Sequence, residues 1–361
     1  MVCCVLSRRA EIDTGISVTT GSPTCVAGIN IPLANDRIGS RSTPTCYLCK
    51  AVGTLLYQDL KDRAFGAPGT WNLKRCPNPS CGLIWLDPMP TELDIAKAYE
   101  RYFTHGGMDH TGSREARIKK AKASLARLYQ LCWRLTPVYS EQQELELMYL
   151  GGSRPGRVLE VGCGDGQRLA QLRARGWDVQ GLELDERAAA QARSVFGVPV
   201  FWGSLDQAAF RDEEFDVVAM NHVLEHVHDP LRLLGECKRV LKPGGLLVSI
   251  TPNTQGWVHR RFGACWYGLD PPRHLFLFSR KTLEQVARKC DFREVRTWTT
   301  AARSVWMVAG SLRIQCGQIL PWDIWPAIKR AIRQPTLHSA AIIARYRDPE
   351  AGDECVLYAS K

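Results

Sequence analysis

The sequence predicts an α/β protein: a doubly wound parallel sheet, covered by helices on both faces and preceded by a small module tied by paired cysteines. Three observations predict it. From Arg157 onward, short β-branched runs alternate with helical stretches. A glycine-rich turn, "VGCGDGQ", follows the first of those runs. Two close cysteine pairs lie upstream, at 46/49 and 76/81. Strands and helices alternating at this spacing build a parallel sheet with both faces buried.

The 361 residues, 45% hydrophobic and 23% charged, have ordinary globular composition and length for two or three domains. Residues 1–43 are rich in Ser, Thr, Gly and Pro without apolar periodicity, and a disordered tail is expected there. A zinc-knuckle module is expected over 44–112. Cys46 and Cys49, then Cys76 and Cys81, can offer four thiolates to one tetrahedral zinc. With all four positions filled by protein the metal is structural, because a catalytic ion keeps a position open for water. Residues 113–150 read as a helical linker, with a basic amphipathic helix over 114–135.

Residues 151–361 carry the main domain. "RVLEVG" reads as its first strand and "QRLAQLRARG" as a helix closed by Gly176. "WDVQGLEL" is a strand, followed by a helix that Asp185 opens and Gly197 ends. "FDVVAM" is a strand, "PLRLLGECKRVL" a helix with Pro230 in its first turn, and "GGLLVSITP" a strand. "ECVLYASK" reads as a last strand returning to the sheet, so 301–347 becomes a lid-like insertion between the last two strands. Its Trp306, Trp322 and Trp325, set among Lys and Arg, also suit peripheral contact with a membrane surface.

Several function classes drop out. No apolar run reaches the roughly 18 residues of a membrane span. Arg8 and Arg9 follow the short apolar start instead of preceding it, the wrong order for a secretory signal, and a cytoplasmic protein is expected. Fourteen cysteines in such a chain point to free thiols and one metal site. The net charge of +10 favours anionic partners, such as nucleotide- or lipid-linked substrates. No basic run interleaved with aromatics marks a nucleic-acid groove, so nucleic acid is not the expected partner.

The chemistry concentrates in three stretches. The loop Gly162-Cys163-Gly164-Asp165-Gly166 follows a strand and opens a helix, which lets backbone approach a ligand at the helix N-terminus. Gln167 stands where a dinucleotide fingerprint places its third glycine, and no Gly-Lys-Ser/Thr follows for a phosphate loop. Glu160, just before the loop, suits a cationic ligand part. Glu183, about twenty residues on, stands where an acid accepts hydrogen bonds from ribose hydroxyls. The stretch "NHVLEHVHDP" spells the H-x-x-E-H of a zinc protease. That reading needs a long helix, yet a strand ends at 220 and Asp229-Pro230 caps the next helix.

Taken together, Glu160-Val-Gly-Cys-Gly-Asp-Gly166, Gly181-Leu-Glu183, Phe215-Asp-Val-Val218, Leu224-Glu-His226 and Leu241-Lys-Pro-Gly-Gly245 resemble the class I S-adenosylmethionine-dependent methyltransferases over about 150–300. The cysteine pairs, "YERYFTH" and "DPPRHLFLFS" are similar to a subgroup with an N-terminal zinc module, found in polysaccharide and natural-product pathways. The resemblance implies a Rossmann-like methyltransferase sheet binding S-adenosylmethionine. By position, Glu160 and the loop from Gly162 to Gln167 would hold the methionine part, Glu183 the ribose, and Leu184, Ser204 and Leu205 the adenine. Asn221 and His222 would lie near the sulfonium. His222, His226 and His274 are the candidate acid–base groups, with Arg273 a candidate substrate contact. The implied acceptor is a hydroxyl of a sugar or secondary metabolite. C- or N-methylation, and an RNA or protein acceptor, stay open. So does a divalent cation beside Glu225 and His226, since His222 stands where some members carry an acid.

Overall fold

The computed structural model of the protein describes residues 37–100, 137–316 and 324–361, with backbone alone over 324–335. The basic helix read at 114–135, the tail up to residue 36 and the side chains of Trp322 and Trp325 lie outside the described residues.

The first elements are short strands: β1 (Ser40–Arg41), β2 (Thr54–Leu60), β3 (Trp71–Arg75), β4 (Ile84–Leu86) and β5 (Met89–Pro90). After α1 (Pro137–Glu146) the alternation begins: β6 (Arg157–Val161), α2 (Gln167–Arg173), β7 (Asp178–Glu183), α3 (Glu186–Phe196), β8 (Val200–Trp202) and β9 (Phe215–Asn221). Then come α4 (Pro230–Val240), β10 (Leu241–Pro252), α5 (Trp257–Phe262), β11 (Phe276–Leu277), α6 (Arg280–Lys289) and β12 (Arg293–Thr300). The helices α7 (Ser304–Cys316) and α8 (Ile324–Arg347) precede the last strand, β13 (Glu354–Ser360). Local chemistry sets these ends. The Asp185 side chain caps α3, Asp229 caps α4 ahead of Pro230, and Gly197 closes α3 in the left-handed region.

The large sheet runs β12-β13-β10-β9-β6-β7-β8. Its centre is parallel, and β13 inserts antiparallel between β10 and β12. Alternate side chains of the central strands go to opposite faces, the period-two rule of a strand. Leu159, Val161, Val218 and Met220 pack with Leu234 of α4 and Leu283 of α6. Val158, Val217 and Ala219 pack with Leu145, Leu169 and Ala189 of α1, α2 and α3. Strand order reverses between β6 and β9. The crevice beyond their carboxyl ends is where open α/β sheets bind ligands.

The N-terminal part departs from the sequence reading in two ways. Residues 37–43, assigned to the tail, belong to the fold: β1 pairs with β5, and the Trp85 indole donates to the Thr43 carbonyl at 2.7 Å. The module is also not closed at 112. Its antiparallel sheet runs β11-β4-β3-β2, so residues 276–277 of the main domain supply an edge strand.

Candidate active site

Gly162, Gly164 and Gly166 have φ of +70°, +55° and +79°, the left-handed region that favours glycine. Two of them also serve different neighbours. A Cβ on Gly166 would meet the Ala192 Cβ at 2.7 Å, so this glycine lets α2 pack on α3. A Cβ on Gly164 would meet nothing, because Gly164 borders open space. Its N–H donates to the Glu183 carboxylate at 2.8 Å, and the Asp185 N–H donates to the other oxygen at 2.9 Å. Glu183 is thereby held across the mouth of the loop.

Beneath the loop Glu160 is buried. One carboxylate oxygen is paired with Arg168, and the other has no hydrogen-bond partner among the described residues. Burial pushes its pKa up. An orphaned buried oxygen fits the cationic end of S-adenosylmethionine better than a phosphate. Cys163 points inward against Gly181, which leaves only its backbone for a ligand. Asp165 and Gln167 are exposed at the loop tip, where Asp165 accepts the Gln167 N–H. Leu184 is 69% exposed beside Trp202, whose indole donates to the Leu184 carbonyl. Trp202 was not singled out from sequence, although it closes the short β8 run. Ser204 is half-buried with its N–H bound to Gln207, and Leu205 is buried in the core.

Across the crevice, His222 follows β9 with a left-handed φ of +55°. Both ring nitrogens face carboxylates: Nδ1 lies 2.9 Å from Glu225 and Nε2 2.7 Å from Glu354. Burial disfavours the charged ring, but the bonds to the two carboxylates outweigh it and hold the pKa at about 9. Both ring nitrogens of His222 are thus committed to carboxylates, which leaves neither free for an acceptor's proton. This corrects its reading as a base. Arg303 continues the chain, 3.4 Å from Glu354 and donating to Asn221 Oδ1 at 2.9 Å.

His226 and His274 behave differently. His226 Nδ1 lies 3.1 Å from the Arg273 carbonyl and 2.9 Å from the Tyr99 hydroxyl. His274 Nδ1 lies 2.8 Å from the Gly268 carbonyl. A carbonyl only accepts, which assigns the proton of each ring to Nδ1 and the lone pair to Nε2. Burial, with His274 close by, lowers the His226 pKa to about 4 and keeps that ring neutral. The two rings are 4.6 Å apart between centroids.

A pocket of about 360 Å³ is lined by His222, His226, His274, Arg303, Tyr267 and Trp306 among others. Trp306 is 70% exposed. Arg273 is not in that wall. It is wholly buried, bound to Asp270, Asp62 and the Ala98 carbonyl. Its role is to tie the module to the main domain, which corrects the expectation of a substrate contact. His228 binds the Pro90 carbonyl at 2.8 Å and so faces the module instead of solvent. Leu224–His226 form a single 3-10 turn, far too short for a protease helix.

The cysteine cluster lies apart. Sγ of Cys46 is 3.6 Å from that of Cys81, and Sγ of Cys49 is 3.3 Å from that of Cys76. All four lie within 4.8 Å of one another. Thiolates around a zinc at roughly 2.3 Å stand about 3.8 Å apart, so the donor set and its size fit that ion.

Residues 140–297 match a family model described as a methyltransferase domain. A protein from Mycolicibacterium smegmatis described as a probable S-adenosylmethionine-dependent methyltransferase is 37% identical over 97 residues, covering 27% of this chain and 38% of that protein. A ubiquinone biosynthesis O-methyltransferase from Pseudomonas aeruginosa is 34% identical over 116 residues, covering 30% of this chain and 50% of that one. The chain thus spans half or less of the length of these relatives. A solved SAM-dependent methyltransferase from Thermotoga maritima has 22% identity and a TM-score of 0.41, covering 68% of this chain and 98% of that one.

Proposed function

We propose, on the premise that residues 140–297 are a methyltransferase domain, that this protein transfers a methyl group from S-adenosylmethionine to a hydroxyl of a sugar or secondary metabolite. The observation that carries it is a juxtaposition. The open glycine loop with Glu183 and the His222–His226–His274 pocket sit at the ends of neighbouring strands, β6 and β9. S-adenosylmethionine, when bound, supplies a methyl already activated by the sulfonium. The chain's own task is then alignment of the acceptor and reception of its proton. Glu160 and the loop would receive the methionine part, Glu183 the ribose, and Leu184 with Trp202 the adenine edge. Across the pocket, the Nε2 lone pairs of His226 and His274 receive the hydroxyl, while Trp306 and Tyr267 offer aromatic faces suited to a sugar ring. The His222 ring fixes Glu225 and Glu354 in place. The O-methyltransferase among the relatives supports the hydroxyl acceptor. The four cysteines are read as a closed structural zinc site, with no part in the transfer.

Calorimetric titration with S-adenosylhomocysteine tests the core of this reading. Binding at micromolar concentration is expected, and none at high micromolar would sink it. Mass spectrometry across a panel of glycans, looking for the gain of one CH2, then identifies the acceptor.

A further inference from the structure

We propose that Glu354 is the specificity-determining residue of the acceptor pocket, and that it binds a protonated amine carried by the hydroxylated acceptor. Glu354 opens β13 and lines the pocket, although it is only 2% exposed. Its Oε1 faces His222 Nε2 at 2.7 Å. Its Oε2 has no hydrogen-bond partner among the described residues, because Arg303 Nε stays 3.4 Å from it without making a hydrogen bond. A buried carboxylate oxygen so placed lacks a donor, and in a pocket wall a ligand can supply one.

Charge decides which donor fits. Among the described residues, four buried carboxylates, those of Asp62, Asp270, Glu225 and Glu354, belong to the bonded network in and behind the pocket wall. Against them stand two guanidiniums: Arg273, bound to Asp62 and Asp270, and Arg303, beside Glu354. A proton shared by His222 with Glu225 and Glu354 would still leave one carboxylate in excess. His226 and His274 each keep a single proton on the nitrogen that faces a carbonyl, and so add no charge. An ammonium neutralises the excess and also donates to Oε2, whereas a neutral hydroxyl only donates. Tyr267 and Trp306 line the same pocket, and aromatic faces attract a cation as well. The sulfonium of S-adenosylmethionine belongs to the other end of the crevice. The glycine loop follows β6, and both β9 and β10 lie between β6 and β13. At about 4.8 Å per strand, Glu354 stands roughly 14 Å across the sheet from the loop, on the acceptor's side. A protonated amine has no lone pair to methylate, so it anchors the acceptor while a hydroxyl oxygen takes the methyl. The inference rests on the methyl-transfer reading for that hydroxyl, and not for the bound cation.

The test compares matched pairs of small ligands on the full chain: glucosamine with glucose, and 2-aminoethanol with ethylene glycol. Saturation-transfer NMR measures each affinity, with and without S-adenosylhomocysteine. The amine of each pair should bind roughly tenfold or more tightly than its neutral partner. Glu354→Gln should abolish that preference while leaving S-adenosylhomocysteine affinity unchanged. Equal binding within both pairs by the native chain overturns the proposal, and so does a preference that survives in Glu354→Gln. Where that variant fails to fold, Glu354→Asp takes its place. Its carboxylate is withdrawn by one CH2, so it should weaken binding of the amines and leave that of their neutral partners as it was. Unchanged amine binding by Glu354→Asp would overturn the proposal equally. Failure of the methyltransferase reading shows separately, as lost S-adenosylhomocysteine binding with the amine preference intact.

Discussion

Gly164 and Gly166 sit two residues apart in one loop and should fail in different ways. Gly166→Ala drives a methyl into Ala192, so lower thermal stability is expected. Gly164→Ala meets no neighbour and should cost only about 1 kcal/mol of backbone strain. Its methyl instead occupies the space a ligand's approach requires, so loss of S-adenosylhomocysteine binding with near-native melting is expected. If both variants melt alike and bind alike, the assignment of open and packed sides is wrong. Glu183→Ala removes charge-assisted bonds to the loop and to a ribose. Calorimetry should show affinity reduced roughly 10- to 100-fold. The local structure that places these residues was legible beforehand. Glu160, the loop glycines and Glu183 follow from strand, turn and helix signals that are local in sequence. Glu354, Arg303 and Tyr99 were not legible, because each reaches the pocket from a remote element. Arg273 illustrates the same limit. Its charge looks available until Asp62, more than two hundred residues away, is seen to bind it.

At the scale of elements, α5 is braced to β2 by one histidine. His259 accepts from the Tyr57 hydroxyl at 2.9 Å, donates to the Thr254 carbonyl and stacks on Trp266. Burial lowers its pKa to about 4, helped by Arg75. The unfolded chain keeps an ordinary value near 6.5. The folded state therefore binds the proton less well. The stability due to the neutral ring is whole above about pH 6.5 and declines as pH falls toward 4, by up to roughly 3 kcal/mol. Urea unfolding between pH 7 and 4.5 should show a flatter loss in His259→Gln than in the native chain. Parallel curves would refute this assignment. The alternation of strands and helices was readable because each element carries its own period. The partner of a strand was not readable. The pairing of β11 with β4, like the insertion of β13 beside β10, depends on contacts that leave no local trace.

For the whole molecule, the consequence is coupling between the cysteine cluster and the pocket. Cys76 and Cys81 flank the turn between β3 and β4, and β4 pairs with β11, two residues beyond His274. On the proposed zinc reading, Cys76→Ser or treatment with a chelator should therefore lower acceptor turnover while S-adenosylhomocysteine binding persists, because the glycine loop follows β6 in the separate seven-stranded sheet. Loss of both together would mean global unfolding. Loss of neither would mean that the module is dispensable. Arg273→Ala strikes the same seam, leaving Asp62 and Asp270 buried without their cation. A destabilisation of about 3–5 kcal/mol is expected in urea, partly relieved by adding Asp62→Asn.

The shared sheet also bears on how the chain is made. Ribosomes deliver β2, β3 and β4 nearly two hundred residues before β11. Throughout that interval Ile84, Trp85 and Leu86 form an uncovered apolar edge, the kind of edge that recruits foreign strands. A zinc ion on the cysteines, as proposed above, would hold the hairpin during the wait, but only the arrival of Phe276 and Leu277 seals it. A chain that terminates before residue 276 should accordingly collect in aggregates even when its four cysteines are fully metallated.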